Sequence, residues 1–303
     1  MRVTVLGAGV VGCAAAAELA RLGAEVVVVD PAGIAAGASG RNSGSVQHPM
    51  EERTLALHEA TLGWYRELGV VAGPPQGVLV VGGEAEAGAV AARFPELAPE
   101  VVADAAALEP CLAPGQRALR LDTGWTVSPE RATRALAELA RSRGASFVRE
   151  APPPGDVLLD ARGAWDGRAR PVWGVTAVVD LPPPRHVIEE AGVDSVGGAA
   201  PPERVFSIVA TAEATILGST FLAAEPDPAA EVPALVSRGA RFVPALRDAR
   251  VLAVRACPRP VSPDGLPWIG RAGDGLGLAP DDEHALRRTG DDAGIPGHLR
   301  PRA

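Results

Sequence analysis

Three glycines, Gly7, Gly9 and Gly12, stand in the run GAGVVG near the start of the chain, and Asp30 closes the later run EVVVVD. Residue types at this spacing can hold a dinucleotide. The first glycine permits a tight turn, the second lets backbone approach a pyrophosphate, and the third brings a helix against a strand. A helix opening at Val10 and Val11 offers unpaired N–H groups and the positive end of its dipole to an anion, so no basic side chain is needed. Asp30 falls where a carboxylate accepts hydrogen bonds from both ribose hydroxyls. Its charge would repel the 2′-phosphate of NADP, which leaves NAD and FAD.

A bare GxGxxG is a weak signal, so the elements around it decide its meaning. Residues 2–6 form a short β-type run, residues 10–22 are Ala-rich with good helix formers, and residues 25–30 read as a buried strand. This is a βαβ unit, and the expected class is α/β with a Rossmann-type nucleotide domain. The chain of 303 residues, 47% apolar, can fill two compact lobes. A net charge of −8 with no run of Lys and Arg argues against a nucleic-acid partner and favours a small molecule. Cys13, Cys111 and Cys257 match no metal spacing, so no metal, reduced thiols and a cytoplasmic location are expected. Residues 3–17 are apolar enough to imitate a signal or membrane segment. Three glycines and the following Glu18 count against that reading, and no membrane association is expected.

Beyond Asp30 the stretch PAGIAAGASGRNSGSVQHP has no apolar period and is expected to be a loop. With its segment GASGRNSG the chain resembles the FAD-dependent oxidoreductases of the D-amino-acid oxidase family, which includes glycine oxidase and sarcosine oxidase. The resemblance implies FAD as cofactor, and Ser39, Arg41, Asn42, Ser43 and Gly44 as its contacts. His48 lies just beyond, in a region where some relatives attach flavin covalently, but its neighbours match poorly and a noncovalent or structural role is expected. A second similar block, DTGWTVSPERATRALAELARSRGASFV, carries a helix begun by Ser128 and Pro129, ended by Gly144, and followed by a strand over 145–148. The resemblance places Val148 beside the adenine. In a third block, DVLLDARGAW, the backbone at Gly163 is implied to close against FAD, although Asp160 and Arg162 stand where the family has small or apolar residues.

The distal run RACPRPVSPDGLPWIG is similar to the family's RPxxxDGxP segment. There the resemblance assigns Arg259 to a substrate carboxylate, a role suited to a planar, permanently charged fork. Arg255 competes for it, and Pro263, Asp264 and Gly265 read as a turn. The implied architecture is a discontinuous FAD domain (1–73, 127–171 and 255–275) interleaved with a mixed-sheet α+β substrate domain (74–126 and 172–254). The implied reaction is oxidation of an amine or amino acid by hydride transfer to flavin N5, with no acid–base side chain required. Tyr65, the single tyrosine, is assigned to a helix near the nucleotide domain rather than to the substrate. The resemblance stops near residue 275. Residues 276–303 read as an irregular tail without the family's glycine-rich turn and flavin-facing helix. The tail is expected to be a truncation or frame product, testable by translating the other frames past codon 275. The alternative function is a catalytically inactive FAD- or nucleotide-binding relative. The oligomeric state is not legible.

Overall fold

The computed structural model describes residues 1–150, 155–192, 202–263, 266–272 and 275–277. Strands and helices are numbered along the chain. One sheet holds β1 (Arg2–Leu6), β2 (Glu25–Val29), β8 (Ser146–Val148), β9 (Val157–Asp160), β15 (Gly270–Ala272) and β16 (Gly275–Gly277), in the order β15-β16-β9-β1-β2-β8. All its pairings are parallel except β15 against β16. Val3, Val5, Val26 and Val28 are buried, as expected of central strands in a covered parallel sheet. Helix α1 (Val10–Arg21) buries Gly12, Cys13, Ala16, Ala17 and Ala20, a small-residue stripe that brings it close to the sheet and to α5 (Pro129–Ser142). Helix α5 has Ser128 at its N-cap and Pro129 in its first turn. The Ser128 side chain makes no capping hydrogen bond to the helix.

The second sheet holds β4 (Val78–Val81), β5 (Glu100–Val102), β6 (Ala118–Leu121), β10 (Arg170–Val179), β11 (Val187–Glu190), β12 (Arg204–Ala210), β13 (Thr215–Thr220) and β14 (Val251–Val261). Its order is β14-β10-β13-β12-β11-β4-β6-β5, antiparallel except for β11 beside β4. Strand alternation gives this sheet two unlike faces. Val175, Ala177, Ile188, Phe206, Ile208 and Leu217 point to a core under α6 (Pro228–Gly239). On the opposite face Gly174, Thr176, Glu189 and Ser207 line a cavity. Helices α3 (Leu55–Glu67) and α4 (Ala87–Arg93) lie in the segments flanking β4.

Three expectations change. The stretch after Asp30 is not all loop: it contains α2 (Ala38–Arg41) and β3 (Ser45–Val46), which pairs with β7 (Trp125–Thr126). Tertiary packing rather than apolar periodicity stabilises α2, since it lies on α5 and the Thr133 hydroxyl donates to the Ser39 carbonyl at 3.3 Å. The divisions drawn at 171/172 and 254/255 fall inside β10 and β14, which pair from Arg170↔Val261 to Val179↔Val251 with one register shift between Val178 and Val179. Residues 170–171 and 255–261 thus belong to the larger sheet. Residues 276–277 are strand rather than tail, because β16 joins the ladder of β9 through Leu276↔Leu159 and Gly277↔Asp160. Asp264, Gly265, the prolines at 152–154 and the tail from 278 onward lie outside the described residues.

Candidate active site

The glycine turn is closed so tightly that side chains are excluded from it. Gly7 has φ +101°, and a Cβ there would lie 2.5 Å from the Ala161 carbonyl oxygen and 3.1 Å from Arg162 Cα. A Cβ on Gly12 would collide with the Gly7 carbonyl. The Asp30 carboxylate accepts from the N–H groups of Ala8 (2.9 Å), Ala32 (3.0 Å) and Gly33 (3.1 Å), which ties the turn to the loop after β2. A carboxylate has room for a further donor beyond these three. The Val148 carbonyl accepts from the Asp30 N–H at 3.1 Å, and the Val148 side chain is 38% exposed beside it.

Ser39, 29 positions beyond Val10, comes to the N-terminus of α1, where its Oγ accepts the Val10 N–H at 2.9 Å. Val11, next in the helix, is exposed. The Asn42 side chain donates to the Ala38 carbonyl (3.0 Å) and accepts from Gly44 N–H (2.8 Å), folding the segment on itself. Gly44 has φ +84°, and a Cβ there would collide with the Val127 carbonyl. Arg41 reaches across to β14 and donates to the Ala256 carbonyl at 3.3 Å. Gly163, at φ +62°, lies against Pro260. The backbone that meets the glycine turn is that of Ala161 and Arg162, just before it. Arg162 pairs with both oxygens of Asp160 (2.9 and 2.6 Å), which holds the Asp160 carboxyl below its usual range.

Between α2 and the polar face of the larger sheet lies a cavity of about 240 Å³. Arg41, Asn42 and Ser43 line one wall, and Glu189, Ser207 and Arg259 line the other. The Arg259 guanidinium passes over the bare backbone of Gly174, donates to Thr220 O (2.8 Å) and Ser219 Oγ (2.6 Å), and sits 4.5 Å from the Phe221 ring centroid. Burial pushes its pKa down from the ordinary arginine value, opposed by Cys257, yet a guanidinium stays charged at working pH. No carboxylate among the described residues pairs with it. Such a charge, held by neutral partners, calls for an anionic ligand.

Gln47, Thr176, Glu189, Ser207, Ser219 and Phe221 also line this cavity and were not expected from sequence. Their signal was a polar residue at alternate positions of otherwise apolar strands, as Thr176 in GVTAVV and Ser207 in VFSIV. His48 does not line it: its ring packs edge-on to Phe94 at 5.0 Å and lies 3.4 Å from Glu96. Tyr65 packs in the core of the smaller sheet, where burial pushes its pKa up. Burial also pushes the Cys13 and Cys111 thiols up to about 12 and raises that of Cys257, so none is a ready nucleophile. Among the described residues no cluster of His, Cys, Asp and Glu could hold a metal, and no helix is long and apolar enough to cross a membrane.

Residues 2–284 match the model of the DAO family, described as FAD dependent oxidoreductases. The chain belongs to the DAO family. A comparison with curated protein sequences gives no match. Among solved structures, glycine oxidase from Geobacillus kaustophilus is 21% identical with a TM-score of 0.73, covering 91% of this chain and 88% of that one. L-proline dehydrogenase from P. horikoshii is 19% identical with a TM-score of 0.74, covering 94% and 89%. Iminodiacetate oxidase from Chelativorans sp. BNC1 is 20% identical with a TM-score of 0.73, covering 97% of each. At these identities the likeness is one of fold. DAO-family proteins are FAD-dependent, and the residues present here fit that cofactor. The turn at Gly7, Gly9 and Gly12 leaves backbone bare for a pyrophosphate, and Asp30 stands at the end of β2 for a ribose. The Asp160–Arg162 pair lies beside the turn, where the Arg162 backbone approaches Gly7.

Proposed function

We propose that this chain oxidises the carbon–nitrogen bond of an amino acid or a related amine carboxylate. The observation that carries the reading is the buried Arg259 guanidinium, which lines a cavity and pairs with no carboxylate among the described residues. A substrate carboxylate would complete it through two parallel hydrogen bonds. Gly7, Gly9, Val10, Val11, Gly12, Asp30 and Val148 would hold the diphosphate, ribose and adenine of FAD. Ser39, Arg41, Asn42, Ser43, Gly44 and Gly163 would line its path toward the cavity. FAD, when bound, supplies the acceptor for a hydride and returns the electrons to oxygen or another oxidant. The protein's share is positioning: Arg259 fixes the carboxylate, so the carbon bearing the nitrogen is held in one orientation, and the cavity walls exclude bulk water. The amine loses a hydride and a proton and becomes an imine, which water hydrolyses. The three free thiols support a cytoplasmic location.

The test is the visible spectrum of the purified protein mixed anaerobically with amino acids and N-methyl amines. Bleaching of the flavin bands is expected, and Arg259→Met should raise the substrate concentration needed by roughly a hundredfold, the scale for removing one partner of a buried, hydrogen-bonded charge pair. A yellow protein that no amine bleaches would leave only a binding role.

A further inference from the structure

Beside Arg259 the floor of the cavity has a bare position flanked by two hydroxyl side chains. On β10, β12 and β13 the residues Val175, Ala177, Phe206, Ile208 and Leu217 turn into the core under α6. Alternation therefore turns Thr176, Ser207 and Gly218 the other way, and Thr176 and Ser207 line the cavity. Register sets the three side by side: Gly218 stands opposite Ser207 on one neighbouring strand and opposite Thr176 on the other. A Cβ added at Gly218 would lie 3.0 Å from Ser207 Oγ and 3.5 Å from Thr176 Cγ2. The glycine thus keeps a notch open between the two side chains. The Thr176 hydroxyl is buried and has no hydrogen-bond partner among the described residues. Leaving such a group unbonded costs free energy. Rotation about χ1 exchanges the hydroxyl with the methyl group that borders the notch, so a ligand group seated over Gly218 can supply the missing bond.

Distance selects the ligand atom that reaches the notch. The guanidinium passes over Gly174, and Thr176 follows two residues later, about 7 Å along β10. A carboxylate held by two parallel hydrogen bonds places its carbon about 4 Å from the guanidinium carbon. In an α-amino acid the nitrogen lies about 2.5 Å beyond that carbon. A carboxylate on Arg259, with the molecule laid along β10, therefore brings the α-nitrogen to the notch over Gly218.

We infer that the hydroxyls of Thr176 and Ser207 accept the two N–H hydrogens of the substrate's neutral amine, and that the substrate is an α-amino acid whose nitrogen carries no alkyl group. With both hydrogens held, the nitrogen lone pair stays free to become the second carbon–nitrogen bond as the hydride leaves the α-carbon. A secondary amine fills one of the two bonds and a tertiary amine neither, so each added alkyl group leaves a hydroxyl unpaired. This assignment rests on the oxidoreductase reading for its choice of Arg259 as the carboxylate anchor, and it adds the substrate class.

The experiment compares glycine, alanine and leucine with their N-methyl and N,N-dimethyl derivatives, the chiral ones as both enantiomers, on the FAD-loaded full chain. In wild type kcat/KM is expected to fall roughly tenfold for each N–H replaced, the scale of one hydrogen bond. Thr176→Val keeps the shape of the side chain and removes the hydroxyl, so bulk at the nitrogen is met equally in both proteins. In this variant the preference for the primary over the dimethylated amine should shrink roughly tenfold, while the melting temperature of the FAD-free protein does not fall, because only an unbonded hydroxyl is lost. Wild type that handles the dimethylated amines as well as the primary ones would overturn the inference, and needs no variant to fold. An unchanged preference in Thr176→Val would overturn it too. If no amine reduces the flavin, the oxidoreductase reading fails separately, and thermal-shift titrations with the same compounds still decide the role of the notch. Stabilisation by a primary amino acid over its dimethylated form, lost in Thr176→Val, supports it; equal stabilisation or none overturns it.

Discussion

At Gly174 the nearest atoms to an added Cβ all belong to the Arg259 guanidinium, with Cζ at 2.6 Å. The obstacle is the end of a flexible side chain, so Gly174→Ala should displace the guanidinium and leave the fold in place. The expected result is a melting temperature within about 3 °C of wild type, the scale of a change under 1 kcal/mol, with KM for amino-acid substrates raised roughly tenfold, about 1.4 kcal/mol of lost binding. Thermal unfolding beside steady-state kinetics checks both halves. Glu109 raises a different matter. It is 2% exposed and accepts from the N–H groups of Arg185 (2.8 Å) and His186 (3.0 Å), with His186 Nδ1 at 3.1 Å. Burial pushes its carboxyl up, and the hydrogen bonds from His186, Arg185 and Cys111 outweigh this and hold it below the usual value. A depressed folded pKa contributes stability that is present above the unfolded value and lost as pH falls through the folded one. Urea midpoints should therefore drop below about pH 4.5, and Glu109→Gln should shrink that drop. Equal acid sensitivity in the two proteins would remove Glu109 as its source. Asp30 and the three glycines were legible in the sequence because turn, helix start and ribose carboxylate follow one another locally. Glu189, Ser207 and Thr176 were not, because they meet only through pairing across four strands.

Helix α1 and its turn form the element on which cofactor binding depends. In Gly12→Ala the new Cβ meets backbone, the Gly7 carbonyl, so the helix start must lift from the turn. The expected loss is about 1–3 kcal/mol in urea unfolding of the cofactor-free protein, the usual range for overpacking, together with weaker FAD retention. Gly63, inside α3, has no atom within 4 Å of an added Cβ. Gly63→Ala should stabilise by about 0.5–1 kcal/mol through helix propensity alone. Opposite signs at two helical glycines would separate close approach from backbone entropy, and a neutral Gly12→Ala would mean that the turn tolerates a side chain. The β-branched strands and α5 were readable from pattern and capping. Helix α2 was not, since ASGR has no apolar period and gains its order from α5 and β14.

On the scale of the whole molecule the cavity is a seam. One wall follows the nucleotide turn in the chain, through α2 and β3, and the other is the polar face of a sheet assembled from residues 78–121 and 170–261. Two separate cores stand behind these walls, one around α1 and α5 and one under α6. The hydrogen bond from Arg41 to the Ala256 carbonyl crosses the seam. FAD lodged at the glycine turn and reaching this cavity would touch both sides, so its binding energy would act on the global unfolding equilibrium. Linkage gives the size: at a free concentration of about 100 Kd a ligand of the native state adds about 2.7 kcal/mol. For a chain of this size that is a rise in melting temperature of several degrees. The rise should grow with the logarithm of FAD concentration and shrink in Gly12→Ala, and AMP, which fills only the adenosine end, should produce a smaller shift than FAD at equal saturation of the turn. Equal shifts from AMP and FAD would mean that the flavin half gains nothing from the seam, and would place the cofactor's whole hold on the first βαβ unit.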